Sequence, residues 1–247
     1  MRAILTYHSI DESGSPISVS PEAFKTHHRW LTGGSVQTPS LADLATRPDD
    51  GQHGVAITFD DGAANIRKPI ELLLDAGITP TVFVVTDHVG RTNAWGGRDH
   101  PGIPRLQLLT WDELGDLSRR GVAIEAHSRT HPSLTALSSM QLDDELGGCS
   151  EDLRKHLGVR ASAVAYPYGD LNSAVVTSAA KWFSHGVTTE MAPLAANSQP
   201  MRLPRLDMYY YRASGRIESW GSHGFTTRVS WIAWRRRIKA TLQRRAR

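Results

Sequence analysis

A chain of 247 residues that is 40% hydrophobic and 21% charged holds enough apolar material for one large domain or two small ones, and its composition excludes a collagen-like or disordered chain. The net charge of +3 is uneven: seven of the 28 basic residues lie in "RRRIKATLQRRAR" (235–247), which carries no acid, leaving 21 basic against 25 acidic residues elsewhere. That balance argues against a nucleic-acid surface spread over the fold, and the single cysteine, Cys149, excludes an internal disulfide.

The stretch "AILTYH" (3–8) reads as a strand, and its apolar run, Ala3 to Leu5, is far shorter than the roughly 7–15 residues of a signal-peptide core. No stretch approaches the ~20 apolar residues of a membrane span, so a soluble, cytoplasmic protein is expected. Ser20 before Pro21 starts a helix over 20–32. Strands follow at 54–59 ("GVAITF") and 79–85 ("TPTVFVV"), separated by a helix over 64–76. A Gly/Pro-containing loop, 88–107, is long enough to be a functional lid. Thr110 and Glu113 form a capping box for a helix over 110–120. Strands at 121–126, 161–166 and 183–189 then alternate with helices at 140–157 and 172–181, and a weaker strand is expected at 201–206. This alternation predicts repeated βα units around a parallel sheet or barrel. No linker divides the chain, so residues 1–230 read as one domain followed by a tail, 231–247. In that tail Trp231, Trp234, Ile238 and Leu242 recur at helical spacing among basic residues. The pattern fits either a docked terminal helix with solvated charges or an interfacial helix attracted to anionic lipid or a phosphorylated substrate.

Three stretches carry candidate chemistry. In "ITFDDGAAN" (57–65) Asp61-Gly62 alone would satisfy a turn, with Asp60 merely solvated. His127 and His131 in "EAHSRTHPS" (125–133) could cap, stack or sit at the surface. All four residues, however, follow directly after strands, where parallel α/β folds gather their active sites. Two imidazoles and one carboxylate make a zinc site that keeps a fourth position open for water, and the spare carboxylate is then available for proton transfer. "AYPYGD" (165–170) forms a rigid turn able to aim a backbone N–H at an oxyanion.

"TFDDG", "HSRTH" and "AYPYG", in this order, resemble the first three motifs of the polysaccharide deacetylases, the NodB-homology domain of carbohydrate esterase family 4, over about residues 3–210. The resemblance implies a distorted (β/α) barrel of about seven parallel strands. It implies that Asp61, His127 and His131 bind Zn2+, or Co2+ or Ni2+, that Asp60 is the catalytic base, and that the backbone N–H of Tyr168 shares the oxyanion. Two departures stand out. The family's arginine before Pro-Tyr-Gly is replaced by Ala163, Val164 and Ala165, so Arg205 in "RLPRLD" is the candidate to orient Asp60, against a strand-end arginine at the surface. The C-terminal Leu-x-His motif is missing, and His223 lies outside any convincing strand. Tyr7-His8 is similar to the branch with permuted motif order, making His8 the candidate general acid, with Asp207 holding its other nitrogen, against a structural histidine.

The expected reaction is metal-dependent removal of an N-acetyl group from an amino sugar, on a glycan, nucleotide, lipid or small glycoside carrier. Rivals are a related C–N hydrolase acting on a non-sugar amide or imide, and an inactive carbohydrate-binding module. A long cleft lined by Trp95, Trp111 or Tyr209 would favour a polymer. No nucleic-acid partner is expected, and the tail is a candidate contact for a membrane surface or a glycosyltransferase.

Overall fold

The computed structural model describes residues 1–47 and 51–245, with side chains placed as far as residue 238. Leu242, Lys239, Arg244, Arg245 and Arg247 of the expected tail therefore lie outside the described side chains.

Among the described residues nine strands form in chain order: β1 (Arg2–Tyr7), β2 (Ser9–Ile10), β3 (Ser18–Val19), β4 (Gly54–Phe59), β5 (Thr81–Val84), β6 (Ala123–Ala126), β7 (Ala163–Ala165), β8 (His185–Val187) and β9 (Arg205–Asp207). The short β2 and β3 pair with each other, and the other seven make one sheet in the order β8-β7-β6-β5-β4-β1-β9. Every paired neighbour in that sheet is parallel. Its edges meet where Leu203, just before β9, bridges Val187 of β8 in parallel. The result is a nearly closed barrel of seven parallel strands, as expected. Gly186 allows the closure, because a Cβ there would lie 2.8 Å from the Met201 carbonyl.

Alternation along the strands divides the core. Ile4, Ala56, Phe83, Ala163, Ala165 and Val187 fill the barrel interior, with Leu41 and Leu44 packed against them. Leu5, Ile57, Val82, Val84, Ile124 and Val164 face the surrounding helices. Those helices are α1 (Pro21–Thr32), α2 (Leu41–Thr46), α3 (Arg67–Asp75), α4 (Trp111–Arg119), α5 (Ser139–Leu157), α6 (Ser173–Ala179) and α7 (His223–Arg245). Their starts follow local chemistry. The Ser20 hydroxyl accepts from the Ala23 N–H, and Thr110 with Glu113 and Ser138 with Gln141 make complete capping boxes. Gly158 ends α5 in the left-handed conformation, φ 68°.

Strand limits shrink where proline removes a ladder donor. The expected strand at 79–85 begins at Thr81, after Pro80, and that at 201–206 begins at Arg205, after Pro204, with residues 200–202 in a 3-10 turn instead. The boundary expected at 230/231 falls inside α7, which runs unbroken across it. Phe225, Val229 and Ile232 are buried on that helix, whereas Trp231, Trp234 and Ile238 are exposed. The helix thus docks through residues outside the expected stripe and leaves the stripe's described members, Trp231, Trp234 and Ile238, partly exposed.

Candidate active site

The two adjacent aspartates occupy different places because strand phase separates them. Ala56 and Thr58 point into the barrel, and Asp60 continues that phase one step beyond β4, its N–H donating to the Tyr7 carbonyl at 2.8 Å. Asp61 follows at φ 68°, in a turn with Gly62 at φ 75° that re-aims the chain. Four non-glycine residues among those described have positive φ: Asp61, Ser128, His131 and Tyr168. All four lie in the three motif loops. Such conformations cost about 1–2 kcal/mol each and persist where the surroundings enforce them.

The surroundings here are specific. His127 extends β6, its N–H bonding the Val84 carbonyl at 3.0 Å. The loop after it is clamped by Glu145 of α5, whose carboxylate accepts the Arg129 and Thr130 N–H groups at 2.9 Å each and the Thr130 hydroxyl at 2.6 Å. The Ser128 hydroxyl accepts the His131 N–H at 3.0 Å. On the outer side of the loop, Trp95 stacks on His131 with ring centroids 4.7 Å apart, and the Tyr168 ring meets the same imidazole edge-on at 4.7 Å.

These supports bring three ligand-type atoms together. The Asp61 carboxylate lies 3.4 Å from His127 Nε2 and 3.7 Å from His131 Nε2, and one ligand atom from each residue lies within 4.8 Å of the others. The His127 Nδ1–H donates to the Ala165 carbonyl at 2.8 Å, which turns the lone pair of Nε2 toward Asp61. Lone pairs from a carboxylate and imidazole thus converge without a shared hydrogen unless a proton or cation sits among them. The donor set fits a divalent cation such as zinc, with three protein ligands.

The charges are consistent with that reading. Burial pushes Asp61 upward, but hydrogen bonding by His127 and the charge of His131 outweigh it and hold the carboxyl well below the ordinary range. Burial, reinforced by neighbouring His127, pushes His131 down to about 3. His127 is drawn the other way: burial opposes its charge, but Asp61 and Asp60 overcome that and raise its pKa. The neutral imidazole needed of a ligand is thus already favoured at His131.

Asp60 is 2% exposed and is gripped by Arg205, also 2% exposed. The guanidinium donates to both carboxylate oxygens at 2.6 Å. The same Nη1 also lies 3.1 Å from Thr6 Oγ1 and 3.2 Å from Thr58 Oγ1, and Nε donates to the Thr188 carbonyl at 2.9 Å. Burial raises the Asp60 pKa, but the charge and hydrogen bonds of Arg205 prevail, so its net shift is downward. Arg205 is therefore a barrel-interior residue, not a surface one. His8 Nε2 lies 3.8 Å from Asp60 Oδ2, with a partly exposed side chain.

Other expectations are redirected. Asp207 accepts from the Tyr209 N–H at 3.0 Å and from Arg236 of α7 at 3.3 Å; it does not hydrogen-bond His8, because the terminal helix supplies its partner. Trp95 is buried against His131, Trp111 stacks on His156 with centroids 4.4 Å apart, and Arg212 lies 3.8 Å over the Tyr209 ring. Trp95 is thereby committed to the histidine, and Tyr209 lines a separate cavity of about 450 Å3 with Asp11, Tyr210 and Arg212. Tyr168 is 51% exposed at a cavity of about 970 Å3 that is also lined by Ser133, Asp170, Thr188, Arg202 and Asp207. Sequence reasoning missed the roles of Ser128, Glu145 and Trp95. Only the Ser-x-x-His spacing carried a local signal, that of a hydroxyl capping the N–H three residues on.

A nearly closed parallel barrel carrying an Asp-Asp pair, an Asp-His-His cluster and a strained Pro-Tyr-Gly turn at one mouth defines a class of hydrolase-like scaffold. The family profile described as polysaccharide deacetylase matches residues 47–186. The chain belongs to the polysaccharide deacetylase family. A Bacillus subtilis (strain 168) protein named as a polysaccharide deacetylase, YxkH, is 28% identical over 193 residues, 76% of this chain and 64% of that one. The chain thus spans just under two thirds of that relative's length. The fold matches that of the Streptococcus pyogenes deacetylase PplD, solved in complex with acetate, at a TM-score of 0.70 and 21% identity, covering 83% of this chain and 91% of that one. IcaB from Ammonifex degensii matches at a TM-score of 0.69 and 17% identity, covering 94% and 98%.

Proposed function

We propose that the protein is a metal-dependent hydrolase that removes the N-acetyl group from an amino sugar, releasing acetate and a free amine. The observation that carries this reading is the split of Asp60 from Asp61: one carboxylate is locked to a buried arginine in the barrel, the other is turned toward two imidazoles. Asp61, His127 and His131 hold the cation. A divalent ion supplies Lewis acidity at such a cluster, lowering the pKa of water and polarising a carbonyl. Asp60, kept ionised and oriented by Arg205, accepts the proton of the attacking water. The Tyr168 turn directs its backbone N–H toward the developing oxyanion. His8, close to Asp60 yet reachable from solvent, donates a proton to the departing amine nitrogen.

The cavity beside Tyr168 is at the upper end of the roughly 300–1,000 Å3 range of ligand pockets. It meets the cluster through Tyr168, whose ring touches His131, and so offers room beside the reacting group for the carrier of an acetylated sugar, a glycan or conjugate. A bare binding module has no use for a buried, arginine-locked carboxylate, a pair that well-packed apolar residues of similar volume can often replace without loss of stability. The test is Asp60→Asn: turnover on an N-acetylated glycan falls by at least about a hundredfold, the scale of a lost general base, while metal content stays at one ion per chain. Retained activity would remove Asp60 from its assigned role.

A further inference from the structure

Helix α7 carries apolar residues on two opposite faces, and only one has a partner in the fold. At about 100° per residue, Phe225, Val229 and Ile232 point one way and are buried. Trp231, Trp234 and Ile238 point the other way and are 53%, 59% and 40% exposed. The guanidinium of Arg235 lies 4.7 Å over the Trp231 ring, adding a cation to that outer face. From Ser219 to the last residue the sequence contains no acid, and it contains eight arginines and lysines.

We propose that this outer face of α7 docks on a membrane surface containing anionic phospholipid. Tryptophan rings flanked by arginine suit the boundary between headgroups and acyl chains, where each ring has an apolar body and a polar N–H. The surrounding positive charge complements an anionic leaflet. No described helix is long and apolar enough to cross a membrane, so the helix lies on the surface. A second copy of the chain fits less well. Two half-exposed tryptophans and an isoleucine present on the order of 300 Å2, well below the ~800 Å2 per partner of a stable interface. Ala233, Arg236 and Arg237, on the side of the helix next to its buried face, line the cavity at Tyr168, so docking through the outer face leaves that cavity uncovered by the helix's tryptophans.

The test is co-sedimentation of the full chain with vesicles of phosphatidylcholine alone or with 30% phosphatidylglycerol, at low and at high salt. Binding is expected to the anionic vesicles and to fall at least tenfold in 0.5 M salt. Trp231→Ala/Trp234→Ala is expected to weaken it at least tenfold, and Arg235→Glu to weaken it less. Both variants alter exposed residues, and unchanged circular dichroism and thermal midpoint verify their folding. No binding to anionic vesicles, equal binding to both lipids, or binding untouched by the double variant overturns the proposal. So does a concentration-dependent dimer in gel filtration that the double variant abolishes, because a second chain would then be the occupant.

Discussion

Replacing Arg205 by methionine isolates the charge at the centre of the barrel, because the two side chains are similar in length and only the guanidinium is lost. In the native protein five hydrogen bonds leave that group, two of them at 2.6 Å to a carboxylate that is 2% exposed. Removal leaves Asp60 buried without its guanidinium partner, with His8 Nε2 at 3.8 Å. Breaking one side of such a pair costs about 3–5 kcal/mol. For a chain of this size each kcal/mol moves the thermal midpoint by about 2–4 °C, so the midpoint drops by roughly 6–20 °C. The assay is urea unfolding followed by circular dichroism with a chelator present, so that metal binding does not contribute. Arg205→Met/Asp60→Asn removes the stranded charge and recovers most of the loss, giving a coupling of about 2 kcal/mol or more in the double-mutant cycle. A loss below about 1 kcal/mol for Arg205→Met, or strict additivity with Asp60→Asn, would refute the reasoning.

Trp95→Ala removes the ring that fixes His131 and is expected to weaken metal affinity by about 10–100-fold, the usual effect of losing a ligand's support; competition with a chromophoric chelator measures it. His27 is buried between the Tyr7 hydroxyl and the Tyr211 carbonyl, each at 3.0 Å, and burial holds its pKa below 6.5. As pH falls below 6.5 the unfolded chain takes up the proton first, so stability present above that pH is lost as the folded-state pKa is approached. His27→Gln flattens this slope in denaturant midpoints measured between pH 7 and pH 5, and an unchanged slope would assign it to other groups.

Local signals carried most of the elements. Runs such as "GVAITF" are buried on both faces, which is what an all-parallel barrel demands, and Ser20 and Thr110 announce their helices through caps that form. The Asp-His-His cluster was legible because Asp60, Asp61 and His127 come straight after strands, with His131 and Tyr168 in loops that leave the same strand ends, so chain order placed them at one mouth. Long-range choices were not legible. Nothing near Asp207 shows that its partner is Arg236, 29 residues on, instead of His8. The stack of Trp95 on His131 joins two loops 36 positions apart. Helix α7 has apolar residues on two faces, and periodicity alone marks a stripe without saying which face finds the core.

Acetate release from a panel of N-acetylated amino sugars, free, on nucleotide or lipid carriers, and as oligomers, by the zinc-loaded full chain tests the central claim most directly. The account predicts acetate and free amine in equal amounts from at least one member, most readily a larger conjugate, and none after the metal is stripped. No acetate from any member with one ion bound per chain, or undiminished release by the stripped protein, would contradict it.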